Sequence, residues 1–169
     1  VFATLELMDG EGAELQCQIF DGEKVIQEQS VRTEGKAVTL AFLLPDTQLW
    51  TPENPHLYDM KLFLKKNGQT DELYSYFGIR TVEWKNHAFY LNGKPVFQRL
   101  ILDQGFYPEG IYTAPTDQDL IHDIELSKEL GFNGARLHEK VFEERFLYHA
   151  DRLGYLVWGG YGNWGLDAS

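Results

Sequence analysis

Residues 77–105, FGIRTVEWKNHAFYLNGKPVFQRLILDQG, separate two kinds of sequence pattern. Before them the chain reads as short strands and turns; after them it reads as strand, helix, strand, helix, strand. The stretch therefore joins two architectures and supplies the first strand of the second. The pattern is still running when the sequence stops at Ser169, which points to a piece of a longer protein.

Working toward the N-terminus, the apolar residues alternate. Ala3–Met8 meets the turn signal Asp9-Gly10, and Glu14–Phe20 puts Leu15, Cys17 and Ile19 on one face before the hairpin dipeptide Asp21-Gly22. Cys17 is thus expected to be a buried strand residue. Lys24–Val31, Lys36–Leu44, Leu57–Lys65 and Glu72–Phe77 complete a set of six or seven strands, interrupted by the proline-broken loop Asp46–Pro55. Strands this short with turns this frequent predict an antiparallel, immunoglobulin-like sandwich over residues 1–82.

Working toward the C-terminus, Phe89–Phe97 is a hairpin with Asn92-Gly93 at its tip, and Gln98–Leu102 continues as a strand. Thr116 opens a helix through the capping-box pattern TDQD, with Leu120, Ile121, Ile124 and Leu130 on one apolar face and Gly131 past its end. Gly134–Leu137 is a short strand. Glu143–Leu153 is a second helix, with Phe146, Leu147 and Ala150 inward. Tyr155–Trp158 (YLVW) is a third strand, apolar throughout as in a parallel sheet covered on both faces, and Trp158 is read as core. This β-α-β-α-β order fits a doubly wound sheet or the opening of an eight-stranded barrel. No glycine-rich phosphate loop follows any strand, which counts against a dinucleotide fold.

Composition narrows the partners. A net charge of −11 argues against nucleic acid, whose phosphates need clustered Lys and Arg. No apolar run approaches the roughly 18 residues of a membrane span, and no basic start followed by an apolar core marks a signal peptide.

The motifs now in hand resemble glycoside hydrolase family 2, the β-galactosidase, β-glucuronidase and β-mannosidase group. LWTPENPHLY, residues 49–58, is similar to a loop near the end of that family's sandwich domain. FGIR, residues 77–80, followed by FYLNGKPV, residues 89–96, is similar to its linker from sandwich to barrel. Asn133-x-x-Arg136, fourteen further residues, Asp151, Gly154 and YLVW match the spacing of its first signature. The resemblance implies an immunoglobulin-like sandwich followed by a partial (β/α)₈ TIM barrel, residues 83–169. It also implies a parent enzyme that hydrolyses terminal β-linked sugars with retention through two carboxylates. The family's acid/base Glu follows an Asn after the fourth barrel strand, and its nucleophile Glu lies after the seventh. This chain has no Asn-Glu pair, so no catalytic residue is expected within it and the 169 residues alone are expected to be inactive.

The chain also departs from the family pattern. LHEKV, residues 137–141, stands where two small residues and His-Tyr-Pro are usual, so His138 falls one place early. Trp158-Gly159-Gly160 replaces Trp-x-Glu, which removes a carboxylate that serves a metal in some relatives; neither metal nor cofactor is expected.

Asp103 and Gln104, at the end of the first strand, can each hold two adjacent hydroxyls; turn capping before Gly105 is their structural alternative. Arg136, at the end of the second, offers a fork of donors to sugar hydroxyls or a carboxylate. His138 and Trp164, the latter in GGYGNWG, residues 159–165, complete the expected substrate-binding set. Trp50 and Tyr58 read as packing residues. The Glu143-Glu144 pair reads as a solvated helix start. A non-catalytic carbohydrate-binding or scaffold module is the rival class, and a metal-dependent barrel hydrolase lacks a ligand cluster. Three strands of a barrel leave two open edges, which predicts self-association.

Overall fold

The structure is a computed structural model and describes residues 1–162. It divides into two compact units, one made of Val1–Gln48 with Leu57–Ile79, the other of Leu49–His56 with Arg80 onward.

The first unit is a β-sandwich. Its strands are β1 (Phe2–Glu6), β2 (Glu14–Asp21), β3 (Lys24–Arg32), β4 (Ala37–Ala41), β5 (Tyr58–Lys66) and β6 (Gln69–Phe77). β1 pairs antiparallel with β4, and a second antiparallel sheet runs in the order β3-β2-β5-β6. The expected alternation holds on β2: Leu15, Cys17 and Ile19 are buried, and they join Leu40, Phe42, Tyr58 and Leu62 in one core. The Tyr58 ring stacks on Phe77 at 5.4 Å, and its hydroxyl accepts from the Gln48 amide at 2.8 Å. Thr33, a buried polar residue that the apolar pattern did not mark, accepts from the Ala13 amide at 3.1 Å and bonds the Gly10 carbonyl, closing one end of the sandwich.

The second unit begins with a small meander, β7 (Val82–Lys85), β8 (Ala88–Leu91) and β9 (Lys94–Pro95). Asn92 and Gly93 turn β8 into β9 with φ of 52° and 75°, the left-handed pair a tight hairpin requires. β10 (Leu100–Asp103), β11 (Gly134–Leu137) and β12 (Leu156–Trp158) form a parallel sheet in that order, joined by α1 (Asp117–Glu129) and α2 (Glu144–Leu153). α1 starts where the capping box predicts: the Asp119 amide donates to Thr116 Oγ1 at 3.3 Å, and the Thr116 amide donates to Asp119 Oδ2 at 2.9 Å.

Both helices lie against one face of this sheet. Leu120 and Ile124 of α1, Ala135 and Leu137 of β11, and Phe146 and Ala150 of α2 make its core, with Tyr155. Three details differ from the sequence reading. Leu130 is 66% exposed, because it is the C-cap where the chain turns away; Ser127 takes the buried place and hydrogen-bonds the Tyr155 hydroxyl at 2.6 Å. Leu147 is exposed and His149 buried in its stead. Trp158 is 47% exposed, since it lies at the end of its strand on the face of the sheet away from the helices.

The sandwich makes a pH prediction. Cys17 is fully buried, and burial pushes its thiol from 9.0 up to about 11. A raised folded value means that the contribution is fully present below pH 9 and is lost as pH rises toward 11. Urea unfolding of the parent chain should therefore lose, relative to Cys17→Ala, at most roughly 2–3 kcal/mol across that window. The two pH profiles are expected to diverge above pH 9 and to run parallel below it.

Candidate functional site

The C-terminal ends of β10 and β11 carry most of the side chains that the sequence singled out. What aligns them is Asn133, at the start of β11. Its side-chain carbonyl accepts from the Arg99 amide at 2.8 Å, its side-chain amide donates to the Phe97 carbonyl at 2.9 Å, and its main chain bonds Arg99 and Leu156. Gly134 follows because a Cβ there would collide with the Leu156 carbonyl. The register that results places Leu102, Arg136 and Trp158 side by side on three adjacent strands, on the face that carries no helix.

Arg136 therefore stands exposed beside a half-exposed indole, and Leu102 flanks it on the other side. A guanidinium next to an aromatic face is a combination that recognises a flat polar ring bearing hydroxyls or a carboxylate.

Gln104 and His138 meet just past the strand ends, with Gln104 Nε2 3.1 Å from His138 Nδ1. The His138 amide also donates to the Asp103 carbonyl at 2.8 Å, so the main chains are tied at the same level. With the Gln104 amide as donor, Nδ1 accepts and the ring proton sits on Nε2, where Glu139 Oε1 stands at 3.8 Å. The pair then offers an amide oxygen as acceptor and an imidazole N–H as donor at fixed spacing, which suits two neighbouring hydroxyls.

Asp103 is on the other face. Its register partner Leu137 belongs to the helix-covered core, and its Oδ1 accepts from the Gly105 amide at 2.8 Å. It caps the turn instead of pointing with Arg136. Burial raises its pKa, and Asp123 adds to the rise; the Gly105 N–H and Lys140 oppose it. Asp123 accepts from the Tyr107 hydroxyl at 2.9 Å, and burial pushes that phenol strongly upward. Trp164 lies outside the described residues.

Sequence reasoning missed Lys140. It is 9% exposed, and its ammonium donates to the Gly105 carbonyl at 2.9 Å and the Tyr112 carbonyl at 2.7 Å. Burial lowers its pKa, while Glu143 and Asp103 act the other way. The only available signal was the lysine itself, between Glu139 and an apolar pair, and most such lysines are solvated.

Other features of the unit lack this convergence. A cavity of about 420 Å³ beside β12 has mainly apolar walls, among them Phe89, Leu91, Leu147 and Val157. Trp50 also lines it, 1% exposed, with its indole N–H donating to the Asp151 carbonyl at 2.7 Å and the Arg80 guanidinium 4.8 Å from its ring centroid. Trp50 packs as the sequence suggested. Glu143 bonds Arg145 at 2.7 Å, and Arg145 also reaches Asp117 at 2.6 Å, an exposed network at the two helix starts. Gly160 has no room for a side chain, because a Cβ there would meet the Leu137 carbonyl. Among the described residues no group of three His, Cys, Asp or Glu side chains is arranged to hold a metal ion.

The fold described above is similar to that of known glycosidases. A β-galactosidase from Thermoanaerobacterium thermosulfurigenes is 33% identical over 121 residues, 72% of this chain and 17% of the relative. Among solved structures, a β-glucuronidase from Parabacteroides merdae superposes with a TM-score of 0.82 at 25% identity, over 90% of this chain and 20% of that one. A family 2 glycosyl hydrolase from Bacteroides cellulosilyticus gives a TM-score of 0.75 at 28% identity, over 93% of this chain and 22% of that one. Residues 3–80 match the family model described as glycosyl hydrolases family 2. The chain spans about a fifth of the length of the curated relatives it matches.

The protonation of Asp103 can be tested directly. Its raised pKa means that its contribution to stability is fully present below the ordinary carboxylate range and is lost as pH rises through the raised value. Asp103→Asn keeps an acceptor for the Gly105 amide and does not titrate. Denaturant midpoints are expected to be similar at pH 3.5, with the Asn variant relatively more stable at pH 7; parallel pH profiles would contradict the burial argument.

Proposed function

We propose that this chain is a stretch of a retaining β-glycosidase that acts on terminal β-linked sugars. In this reading an immunoglobulin-like sandwich is followed by the opening β-α-β-α-β of a (β/α)₈ barrel, and the open end of the parallel sheet is part of the sugar pocket. The observation that carries the reading is the row Leu102–Arg136–Trp158 beside the Gln104–His138 pair, all at the C-terminal ends of parallel strands. Ligand-facing residues of barrels gather at those ends. The kinship with family 2 glycosidases supports the same chemistry.

The roles divide accordingly. Arg136 binds hydroxyls or a carboxylate, Trp158 offers an apolar face to the sugar ring, and Gln104 with His138 takes a neighbouring pair of hydroxyls. Asp103 shapes the turn that presents Gln104. Retaining hydrolysis needs two carboxylates about 5–5.5 Å apart, one as nucleophile and one as acid/base. The chain has no Asn-Glu pair to supply the family's acid/base residue, and the proposal assigns both acids to sequence outside these residues. The edges of the sheet, unpaired among the described residues, would also promote association between copies.

Two measurements test this. The 169-residue protein should release no chromophore from nitrophenyl β-galactoside or β-glucuronide, and release would contradict the assignment of both acids elsewhere. Titration with galactose or glucuronate, followed by NMR, should shift the Arg136 and His138 side-chain resonances. Arg136→Ala should weaken that binding by roughly tenfold or more, from about 1.5 kcal/mol upward for a lost charged hydrogen bond. Binding unaffected by Arg136→Ala would refute its role.

A further inference from the structure

We propose that Lys140 is a positioning residue for this pocket: its buried ammonium fastens both ends of the loop from Gly105 to Tyr112 and thereby holds Gln104 against His138. The inference rests on the sugar-pocket reading above for its functional meaning, but its geometry stands independently.

A lysine ammonium taken out of water is costly unless it is hydrogen-bonded. Lys140 meets that condition with carbonyls seven residues apart, Gly105 at 2.9 Å and Tyr112 at 2.7 Å. Its charge also lies over two aromatic rings, with centroids at 4.6 Å for Tyr112 and 4.8 Å for Phe142. Between the two carbonyls the loop folds on itself, with the Tyr107 and Ile111 amides exchanging bonds to each other's carbonyls at 3.0 and 2.8 Å. The loop is thus closed in its middle by main-chain bonds and at both ends by one side chain.

Gly105 allows this. Its φ is +64°, and a Cβ there would lie 2.6 Å from Lys140 Nζ and 2.9 Å from the Phe142 ring. Gly105 is adjacent to Gln104, and Lys140 is two residues past His138. The bond from Lys140 to the Gly105 carbonyl therefore sets the separation of the two strand ends on which Gln104 and His138 sit. Asp103 holds the amide of the same Gly105 at 2.8 Å, so this residue is gripped on both sides. Removing the Lys140 grip should leave Gln104 free to swing away from Nδ1.

The readout is the ¹⁵N spectrum of the histidine side chains in the full chain, recorded without sugar at one fixed pH for every variant. Gln104→Ala removes the donor to Nδ1 and supplies the reference position for an unbonded His138. Lys140→Met, which keeps the length and apolar stem, is expected to move the His138 Nδ1 resonance to that reference while the Ala135 and Leu137 amides stay dispersed. A His138 resonance unchanged from the parent chain would overturn the proposal. If methionine unfolds the unit, Lys140→Gln is read in its place: it keeps N–H donors but is too short to span both carbonyls, and the same two outcomes apply. No sugar enters this measurement, so its failure and the failure of the pocket reading are distinguishable.

Discussion

The geometry of the second unit depends on one asparagine. Asn133 uses its main-chain N–H and C=O to continue the ladder toward Arg99 and Leu156, and its side chain to grip Arg99 and Phe97. A parallel sheet with four- and three-residue strands has little ladder of its own, and a slip of one residue would turn every side chain to the opposite face. The side-chain amide of Asn133, one residue ahead of the first pair of the ladder, opposes that slip. Gly134 then lets Leu156 approach closely, and Arg136 arrives two residues later on the face that carries no helix. In the signature Asn133-x-x-Arg136, the asparagine sets the register and the arginine uses it.

The same economy of means recurs at the strand ends. The Gln104–His138 contact, the His138–Asp103 main-chain bond and the Lys140 bridge all tie the end of β10 to the end of β11. Asp103 and Lys140 carry opposite charges into a partly buried place, and each moves the other's pKa against the effect of burial. Their effect is to hold exposed polar groups in one arrangement, not to add exposed polar groups. The proposed sugar site would need that rigidity, because hydroxyls are recognised by direction as much as by contact.

Much of this was legible in the sequence, for identifiable reasons. Alternation fixed the inward face of β2, and the TDQD box located the start of α1. Asn92-Gly93 marked its hairpin because left-handed backbone favours those residues. The turn between β7 and β8 carries no such mark: Asn86 and His87 both take positive φ, 51° and 58°, without a glycine, so the strand Val82–Lys85 went unread. Helical periodicity placed Leu120 and Ile124 correctly but continued to Leu130, past the point where the helix ends. The apolar run YLVW predicted burial on both faces, whereas Trp158 is half-exposed on the face without helices. At the strand ends the residue types were readable and their directions were not: Asp103 and Gln104 are neighbours in sequence, yet one caps a turn and the other meets His138. Lys140 had no signature, since a buried lysine looks like a solvated one until its carbonyl partners are in place.

The claim on which the rest stands is that the Asn133 side chain holds the parallel sheet in register, and hydrogen exchange on Asn133→Ala tests it most directly. Loss of two hydrogen bonds, about 1–3 kcal/mol, should speed exchange of the amides shared by β10, β11 and β12 by roughly 5- to 150-fold. The β2 and β5 amides of the sandwich should exchange as in the parent chain. Unchanged protection across the parallel sheet would mean that its register is fixed by something other than the Asn133 side chain.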